Sequence, residues 1–403
     1  MAKRNIAVVG AGPSGLIAAE MLARAGAQVT VFDRMANPGR KFLLAGRGGL
    51  NLTHSEPLPE FLKRYGPAPE RLAGAITAFP PSALTAWCEE LGQPTFVGTS
   101  GRVFPKSLKA SPLLRAWLQR LGGLGVRFEL GRQWTGWNDK GELAFRSRES
   151  TESIFAADAA VLALGGASWP RLGSDGGWVA VLAARGVAVS PLTAANCGVR
   201  IAWTQLFHDK HAGEPLKRIA LSVSGQSVRG EAVVTQHGLE GGAVYQLVPA
   251  IRTQLAEHGA CALTIDLRPD MTAAELTSRL GAPIGKQTLS NHLRKAAGLP
   301  PVAISLLREA SGKTLPANMG VLAQLIKGVP LKITGLEPIN RAISSAGGIA
   351  WDELDAGFML KRLPGLFAAG EMLDWEAPTG GYLLQACFST GVAAAKGVLA
   401  YLE

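Results

Sequence analysis

Three glycines and one aspartate near the N-terminus have the types and the spacing of a dinucleotide-binding turn. Gly10, Gly12 and Gly15 form the pattern G-x-G-x-x-G, and Asp33 follows roughly twenty residues later. The first glycine permits a tight turn, the second lets backbone amides approach a pyrophosphate, and the third allows a helix to pack closely on a strand. A carboxylate at the end of the next strand can accept a hydrogen bond from a ribose hydroxyl. These residues predict binding of NAD or FAD, and they do not distinguish the two.

The elements around this turn are predicted to position it correctly. Residues 6–9 have the pattern of a buried parallel strand, residues 13–25 keep apolar residues at helical spacing, and residues 28–32 read as a second strand. A lone glycine motif would indicate only a turn before a helix, but the full order of strand, turn, helix, strand and acid favours a Rossmann unit. No second G-x-G-x-x-G follows a strand, so no separate nicotinamide domain is expected.

A second glycine-rich segment, GRKFLLAGRGGLNLTH at residues 39–54, carries fixed positive charge. Its glycines would let the chain run against a flat ring or a phosphate, and its cations would stabilise a pyrophosphate or an anionic reduced ring. The residues concerned are Arg40, Lys41, Gly46, Arg47, Gly48 and Gly49. Two alternatives remain at this point: a basic surface loop, and a role for Asn51 and Thr53 as helix caps.

Two further segments end in glycines where a ligand could pass. Residues 159–164 form an apolar run of strand length before Gly165 and Gly166, and residues 168–177 read as an irregular loop over the same site. Near the C-terminus, residues 365–369 read as a short strand, and Gly380 and Gly381 precede a helical pattern over residues 382–399. A helix N-terminus behind paired glycines offers backbone donors, here predicted to bind the edge of a flavin. Ordinary strand-to-loop turns are the alternative.

Composition limits the class of protein. The chain has 403 residues, 47% of them apolar and 18% charged, with no apolar run of the length that spans a bilayer. The four cysteines show no metal-ligand spacing, so no metal site is expected, and a reducing cytoplasm is predicted. The net charge of +10 is spread along the chain without long basic runs, so nucleic acid is not expected as the main partner. The sequence does not indicate whether the protein is a monomer or an oligomer.

Few residues stand out as catalytic, which is expected if a cofactor carries the chemistry. His237 lies at a predicted strand-to-loop junction, although a structural histidine is the commoner case. Arg47 is expected to hold either cofactor phosphates or a substrate carboxylate. Trp375 and Tyr382 would line a pocket or simply pack beside the glycine turn. The candidates for catalysis are therefore His237, Arg47 and Trp375, without an assigned role.

Together, the motifs AGPSG, GRKFLLAGRGGLNLTH, LALGGASWPRLGSDGG, HGLEGG and GLFAAGEMLDWEAPTGGYLLQA resemble the BaiN-like flavoproteins, a family also described as aminoacetone oxidase-like. The resemblance covers nearly the whole chain. It implies noncovalent FAD in a Rossmann-type domain of the glutathione-reductase type, formed by both ends of the chain. Two positions depart from the family: residues 48–51 read G-G-L-N instead of G-R-C-N, and residues 380–385 read G-G-Y-L-L-Q instead of G-G-Y-N-L-Q.

The expected fold is α/β: an FAD-binding domain over 1–190 and 343–403, an inserted β-barrel-like domain over 191–270 and 327–342, and a small helical domain over 271–326. The residues expected to bind FAD are Gly10, Gly12, Pro13, Ser14, Gly15, Asp33, Arg34, Arg40, Lys41, Gly46, Arg47, Gly48, Asn51, Phe128, Ala163, Gly165, Gly166, Gly370, Glu371, Asp374, Thr379, Gly380, Gly381, Tyr382 and Leu383.

The main functional hypothesis is an FAD-dependent oxidoreductase acting on a small organic substrate. The resemblance leaves open oxidation of an amine or aminoketone by oxygen and reduction of a carbon–carbon double bond. Reduction would require a hydride donor such as NADH or NADPH, binding transiently. The alternatives are a flavoprotein that binds and modifies RNA, and a flavin-binding protein without catalysis.

Overall fold

The computed structural model describes residues 4–46, 48–66, 70–312 and 314–403. The strands within these residues are β1 (Asn5–Val9), β2 (Gln28–Asp33), β3 (Thr53–His54), β4 (Thr95–Val97), β5 (Arg102–Pro105), β6 (Arg127–Leu130), β7 (Arg132–Trp137), β8 (Leu143–Ser147), β9 (Glu152–Phe155), β10 (Ala159–Leu162), β11 (Val189–Ala195), β12 (Val199–Ile201), β13 (Pro215–Val223), β14 (Gln226–Val234), β15 (Gly238–Glu240), β16 (Cys261–Asp266), β17 (Val329–Leu336), β18 (Ser344–Ile349) and β19 (Leu366–Ala368).

The α-helices within the same residues are α1 (Pro13–Arg24), α2 (Arg40–Ala45), α3 (Leu58–Lys63), α4 (Glu70–Ala78), α5 (Pro81–Glu90), α6 (Ala110–Gly123), α7 (Trp178–Ala183), α8 (Gln205–His211), α9 (Gly242–His258), α10 (Ala273–Leu280), α11 (Leu289–Ala296), α12 (Pro301–Ala310), α13 (Met319–Lys327) and α14 (Tyr382–Leu402). Short 3-10 helices cover Pro170–Leu172, Ile339–Arg341, Trp351–Glu353 and Gly370–Met372.

The chain divides into two compact units. The first unit combines Met1–Thr193 with Ser344–Glu403, and the second is the inserted segment Ala194–Ile343. The first unit holds the parallel sheet, and the second holds a closed barrel and helices, which confirms the predicted α/β class with inserted barrel and helical elements. The predicted boundaries of three separate domains stay a prediction.

The parallel sheet of the first unit has the strand order β19-β10-β1-β2-β6. Its central strand β1 is almost fully buried because both faces are covered, and its side chains from Ile6 to Val9 are at most 1% exposed. The neighbours β2 and β10 pair with it in parallel, and β19 pairs with β10. The carboxyl ends of these strands share one edge, which is where ligands bind in such sheets.

Helix α14 packs against α1 at very short range. A Cβ added at Gly391 would lie 2.4 Å from the backbone oxygen of Ser14, so only glycine permits this approach. Among the described helices α14 alone is long and apolar enough to cross a membrane, with 56% of its most apolar window buried inside the protein. A helix in a protein core passes the same test of length and composition, and α14 has that environment.

The described residues also form three small sheets: the antiparallel sheets β3-β5-β4 and β7-β8-β9, and the strand pair β11-β18. The sheet β7-β8-β9 packs on the parallel sheet through Phe32 and Phe145, whose rings stack with centroids 4.0 Å apart. Thr53 lies in β3, and the cap of the next helix, α3, is Pro57. The alternative of Asn51 and Thr53 as helix caps is therefore wrong.

The second unit is a barrel of six strands in the order β12-β15-β14-β13-β16-β17, with α10 to α13 between β16 and β17 in the chain. Gly238 permits β15 to pair tightly with β12, since an added Cβ would lie 1.9 Å from the oxygen of Val199. Helix α9 was not predicted from the sequence, although it buries one apolar face, formed by Val244, Leu247, Val248 and Ile251. Pro249 inside that helix obscures the pattern, because proline normally ends a helix.

Candidate functional site

The glycine turn after β1 has the geometry that its spacing predicts. Gly10 has φ +112°, and an added Cβ would lie 2.2 Å from the oxygen of Ala163; at Gly15 it would lie 1.9 Å from the oxygen of Gly10. At Gly12 an added Cβ meets nothing within 4 Å. Gly12 is also the N-cap of α1, which has no capping side chain and no acidic residue in its first turn. The turn therefore leaves open space and unpaired helix amides where a pyrophosphate would bind.

Asp33 is fixed at the end of β2. One carboxylate oxygen accepts from the amide of Ala11 and the other from the amide of Met35, both at 2.7 Å. Burial raises the pKa of this carboxyl above its ordinary value, because desolvation outweighs the two hydrogen bonds and the charge of Arg34. Each oxygen keeps a further lone pair for a ribose hydroxyl.

The loop after β10 reaches over this edge of the sheet. Arg34 forms an ion pair with Asp175 in that loop. A Cβ at Gly173 would lie 2.9 Å from the side chain of Met35, and the indole of Trp178 donates to the oxygen of Gly165 at 2.8 Å. Residues 168–177 thus cover the end of β2, with a 3-10 helix at Pro170–Leu172.

Lys41 joins three segments that are distant in sequence. Its ammonium donates to Ser168 Oγ at 2.6 Å and to Glu371 Oε2 at 2.7 Å. The side chains of Lys41 and Glu371 are only 28% and 12% exposed, so their charges are partly shielded from water. An ammonium has three N–H donors, and two of them are occupied by these partners. The arrangement fixes a cation beside Gly165 and Gly166.

Glu371 is held on its other side by backbone donors. Ser345 donates its amide to Glu371 Oε1 at 2.9 Å, and the amide of Gly166 lies 3.4 Å from Oε2. The hydroxyl of Ser345 in turn accepts from the amide of Ala167 at 2.8 Å. Both carboxylate oxygens are therefore engaged, and the side chain has one orientation.

The C-terminal glycine turns pack on the N-terminal motifs. A Cβ at Gly370 would lie 2.2 Å from Ser14 Oγ, and a Cβ at Gly381 would lie 2.5 Å from Thr53. The indole of Trp375 is buried and donates to the oxygen of Gly370 at 2.9 Å. The structure thus places Trp375 in support of the Gly370 turn.

Tyr382 begins α14 and contacts the segment after β3. Its ring stacks on His54 with centroids 5.5 Å apart, and its hydroxyl donates to Glu56 Oε1 at 2.5 Å. Its own backbone oxygen accepts from the hydroxyl of Tyr65 at 2.7 Å. The hydrogen bond from Arg64 lowers the pKa of Glu56 below its ordinary value, and burial raises the pKa of Tyr382. These contacts fix the N-terminus of α14.

The other predicted residues are distributed as follows. Arg47 lies outside the described residues, and His237 is an exposed residue of the second unit in the turn before β15. Phe128 pairs with Val31 in the sheet, and Asp374 Oδ2 accepts from Ser190 at 2.5 Å. The remaining predicted residues lie in the first unit, either buried or half-buried (Pro13, Ser14, Gly46, Ala163, Thr379, Gly380, Leu383) or exposed (Arg40, Gly48). Their roles in FAD binding stay predictions.

Three buried polar atoms in this region have no hydrogen-bond partner in the protein: Asn51 Oδ1, Thr53 Oγ1 and Ser174 Oγ. Buried polar atoms without partners are rare and usually mark a missing ligand or water. They belong to the glycine-rich segment 39–54 and to the loop 168–177, which were predicted to contact a flavin. Together with the open space at Gly12, they fit a dinucleotide whose polar edges supply the missing partners.

Ser168, Ser174, Ser345 and Cys387 are site residues that the sequence analysis does not identify. The thiol of Cys387 lies beside Ser14 and Glu371, and burial together with the charge of Glu371 raises its pKa to about 12. The small-residue run SSAGG, residues 344–348, was a signal for Ser345, because it resembles the other glycine-rich turns. Nothing in the sequence near Cys387 marks that thiol as close to Lys41 and Glu371.

Comparisons with known proteins give the same picture. The profile of the family described as HI0933-like protein Rossmann domain matches residues 4–397. A 3-dehydro-bile acid delta(4,6)-reductase of Clostridium scindens is 26% identical, with 97% of this chain and 98% of that protein covered. A ribosomal RNA dihydrouridine synthase of Haemophilus influenzae is 25% identical over 97% of both chains. The corresponding synthase of Escherichia coli is 24% identical over 99% of both.

Solved structures confirm the fold. A 3-ketosteroid delta4-(5alpha)-dehydrogenase from Rhodococcus jostii superposes with a TM-score of 0.51 at 17% identity, covering 99% of this chain and 97% of that one. A 3-ketosteroid delta1-dehydrogenase from Sterolibacterium denitrificans gives a TM-score of 0.55 at 12% identity, covering 99% and 100%. The family match extends over nearly the whole chain and confirms the resemblance found in the motifs. The chain therefore belongs to the HI0933-like family of Rossmann-fold flavoproteins, and it is an FAD-dependent oxidoreductase.

Proposed function

We propose that this protein uses FAD to reduce a carbon–carbon double bond in an electron-poor substrate. The observation that carries the proposal is the shared chemistry of the three relatives that match over their full length. A delta(4,6)-reductase saturates double bonds, and a dihydrouridine synthase saturates the double bond of a uracil ring. Oxidation of an amine or aminoketone, the other reaction expected from the sequence, is the competing proposal.

Residues at the carboxyl ends of β1 and β2 and in the neighbouring loops would hold FAD. The helix amides behind Gly12 would bind the pyrophosphate, and Asp33 would accept from the ribose. Asn51, Thr53 and Ser174 would pair with polar edges of the cofactor. When bound, FAD supplies the hydride for reduction of the substrate.

Lys41 would provide positive charge beside this site. Because Glu371 and Ser168 hold its ammonium, the third N–H has a fixed direction and can donate to a bound group without reorganisation. A fixed cation stabilises negative charge that develops on a neighbouring oxygen or ring edge during the reaction. The role of Glu371 and Ser168 would be to orient Lys41.

The electron donor we propose is NADH or NADPH, binding transiently. Each turnover would then consume one hydride from the nicotinamide, which FAD would carry to one carbon of the double bond, and one proton from solvent, which the other carbon would take. Loss of hydride leaves oxidised nicotinamide, so the electrons balance. The lack of a second G-x-G-x-x-G fits a donor that binds without a domain of its own. The cytoplasm, where nicotinamides are reduced, stays the predicted location.

The proposed substrate is a small organic compound with a conjugated double bond. A second candidate is a uracil base in RNA, and the specific observation in its favour is that two of the relatives act on ribosomal RNA.

The test is anaerobic reduction of the purified holoprotein by NADH and NADPH, followed by an unsaturated steroid ketone or a uridine-rich RNA. We expect flavin absorbance to bleach with a nicotinamide and to return when the acceptor is added, with a product heavier by two hydrogens. Gly12→Ala is the control that should bind little FAD. The proposal would be overturned if neither nicotinamide reduced the flavin of the holoprotein and the holoprotein produced hydrogen peroxide from an amine in air.

A further inference from the structure

A long stretch of the first unit carries cations and no acids. Between Glu90 and Glu129 the sequence contains six arginines and lysines and no aspartate or glutamate. Four of the cations are exposed and have no ion-pair partner among the described residues: Arg102, Lys106, Lys109 and Arg115. Because no acid of this stretch offsets its six cations, it produces a locally positive potential.

Apolar side chains stand exposed among these cations. Phe96 is 39% exposed, Val97 is 57% exposed and Leu108 is 47% exposed. The ring of Phe96 stacks on Phe104 across the strand pair β4–β5, with centroids 5.8 Å apart. A stacked pair with one outer face open to solvent is a platform on which another flat ring can lie. We call the surface formed by Phe96, Arg102, Lys106, Leu108 and Lys109 the cationic shelf.

The cationic shelf is continuous with the glycine-rich segment predicted to contact the flavin. The amide of Leu50 donates to the oxygen of Leu108 at 2.8 Å. A Cβ at Gly49 would lie 3.6 Å from the ring of Phe104, and a Cβ at Gly46 would lie 2.6 Å from Ala110. Anything bound on the shelf therefore lies next to Gly46, Gly49 and Leu50.

Leu108 holds an unusual backbone conformation at this junction. Its φ is +59°, in the left-handed region that non-glycine residues rarely adopt. The hydrogen bonds from Leu50 to its oxygen and from its own amide to Pro105 keep it there. Strain of this kind persists where the surroundings fix it and is common at functional surfaces.

We propose that the cationic shelf is a docking surface for single-stranded RNA. Exposed lysines and arginines would bind phosphates, and Phe96 would stack a base, which is the usual combination in single-strand binding. A small apolar acceptor has no phosphates for the three cations of the shelf to bind. The inference rests on the proposed double-bond reduction, and it favours the second candidate substrate, a uracil base in RNA, over the small organic compound.

The test measures binding of a fluorescent uridine-rich RNA of about 20 nucleotides to the holoprotein over a range of salt concentrations. The double variant Lys106→Ala with Lys109→Ala removes two phosphate contacts. We expect at least a tenfold weaker affinity at low salt and a salt slope smaller by about 1.4. The matched control is Lys140→Ala with Arg148→Ala, because both cations are exposed in the first unit but lie next to Asp139 and Glu149. The control should bind RNA within about twofold of the wild type.

A second variant separates base stacking from charge. Phe96→Ala should weaken RNA binding by at least about fivefold, while binding of inorganic polyphosphate stays unchanged. Equal losses in the two double variants, or no RNA binding at low salt, would overturn the docking surface. If the same holoprotein still reduced a small unsaturated ketone, the proposed double-bond reduction would be supported although the RNA docking surface had been disproved.

Discussion

Lys41 Nζ and Glu371 Oε2 lie 2.7 Å apart although 330 positions separate them in the chain. The pair connects α2 to the turn that precedes α14. Lys41 also donates to Ser168, which lies in the loop after β10. One ion pair thus links the three glycine-rich segments that the sequence analysis assigned separately to a flavin.

Lys41→Met should weaken both the fold and cofactor binding. Glu371 would keep its charge without the ammonium, which we expect to lower the free energy of unfolding by about 2 kcal/mol and to weaken FAD binding. The matched control is Lys63→Met, because Lys63 and Glu60 form an exposed surface pair. That control should change stability by no more than about 0.5 kcal/mol. Denaturant titration and FAD titration measure the two effects, and equal behaviour of the two variants would contradict a special role for Lys41.

Gly10→Ala and Gly12→Ala should separate folding from cofactor binding. A methyl group at Gly10 collides with Ala163 and the φ of +112° is strained for alanine, so a loss of about 3 kcal/mol or more is expected. At Gly12 the methyl group enters open space, so stability should change by less than about 1 kcal/mol. We nevertheless expect Gly12→Ala to lose FAD on gel filtration. Full FAD retention by this variant would place the pyrophosphate elsewhere.

The cysteines should be unreactive in the folded protein. Burial raises the pKa of Cys88 and Cys387 to about 12 and of Cys197 to about 11, and it also raises that of Cys261. At about pH 8 the thiolate fraction of Cys387 would then be on the order of a thousandfold below that of a free cysteine. Ellman's reagent should release colour rapidly only after denaturation. Fast labelling of the native protein at Cys387 would contradict this environment.

Acid should loosen the start of α14 through Glu56. Its folded pKa is lowered, so its contribution to stability is present above the unfolded value near 4.5 and is lost as pH falls through the folded pKa. Glu56→Gln should cost about 1 kcal/mol at neutral pH and less at about pH 3, because the native carboxyl gains its proton as the pH falls through its lowered pKa. Urea denaturation at both pH values tests this expectation. An equal loss at both would mean that Glu56 acts through packing rather than charge.

Sequence patterns predicted the parts of the site that depend on local backbone geometry. Gly10, Gly12 and Gly15 are recognisable because their roles follow from a turn between one strand and one helix. The contacts of Lys41 with Ser168 and Glu371 were not predictable, because they depend on which loops the sheet brings to the same edge. The cationic shelf was missed for a similar reason: its cations are three or four residues apart, and only the pairing of β4 with β5 places Phe96 beside them.

The two-part construction of the first unit has a consequence for its synthesis. β19 and α14 are supplied by residues that leave the ribosome after the whole inserted barrel. Until then β10 has an open edge and α1 lacks the helix that covers it, both of which favour aggregation. The barrel can fold while the parallel sheet still lacks β19 and α14. We therefore expect chaperones to bind the nascent chain during that interval.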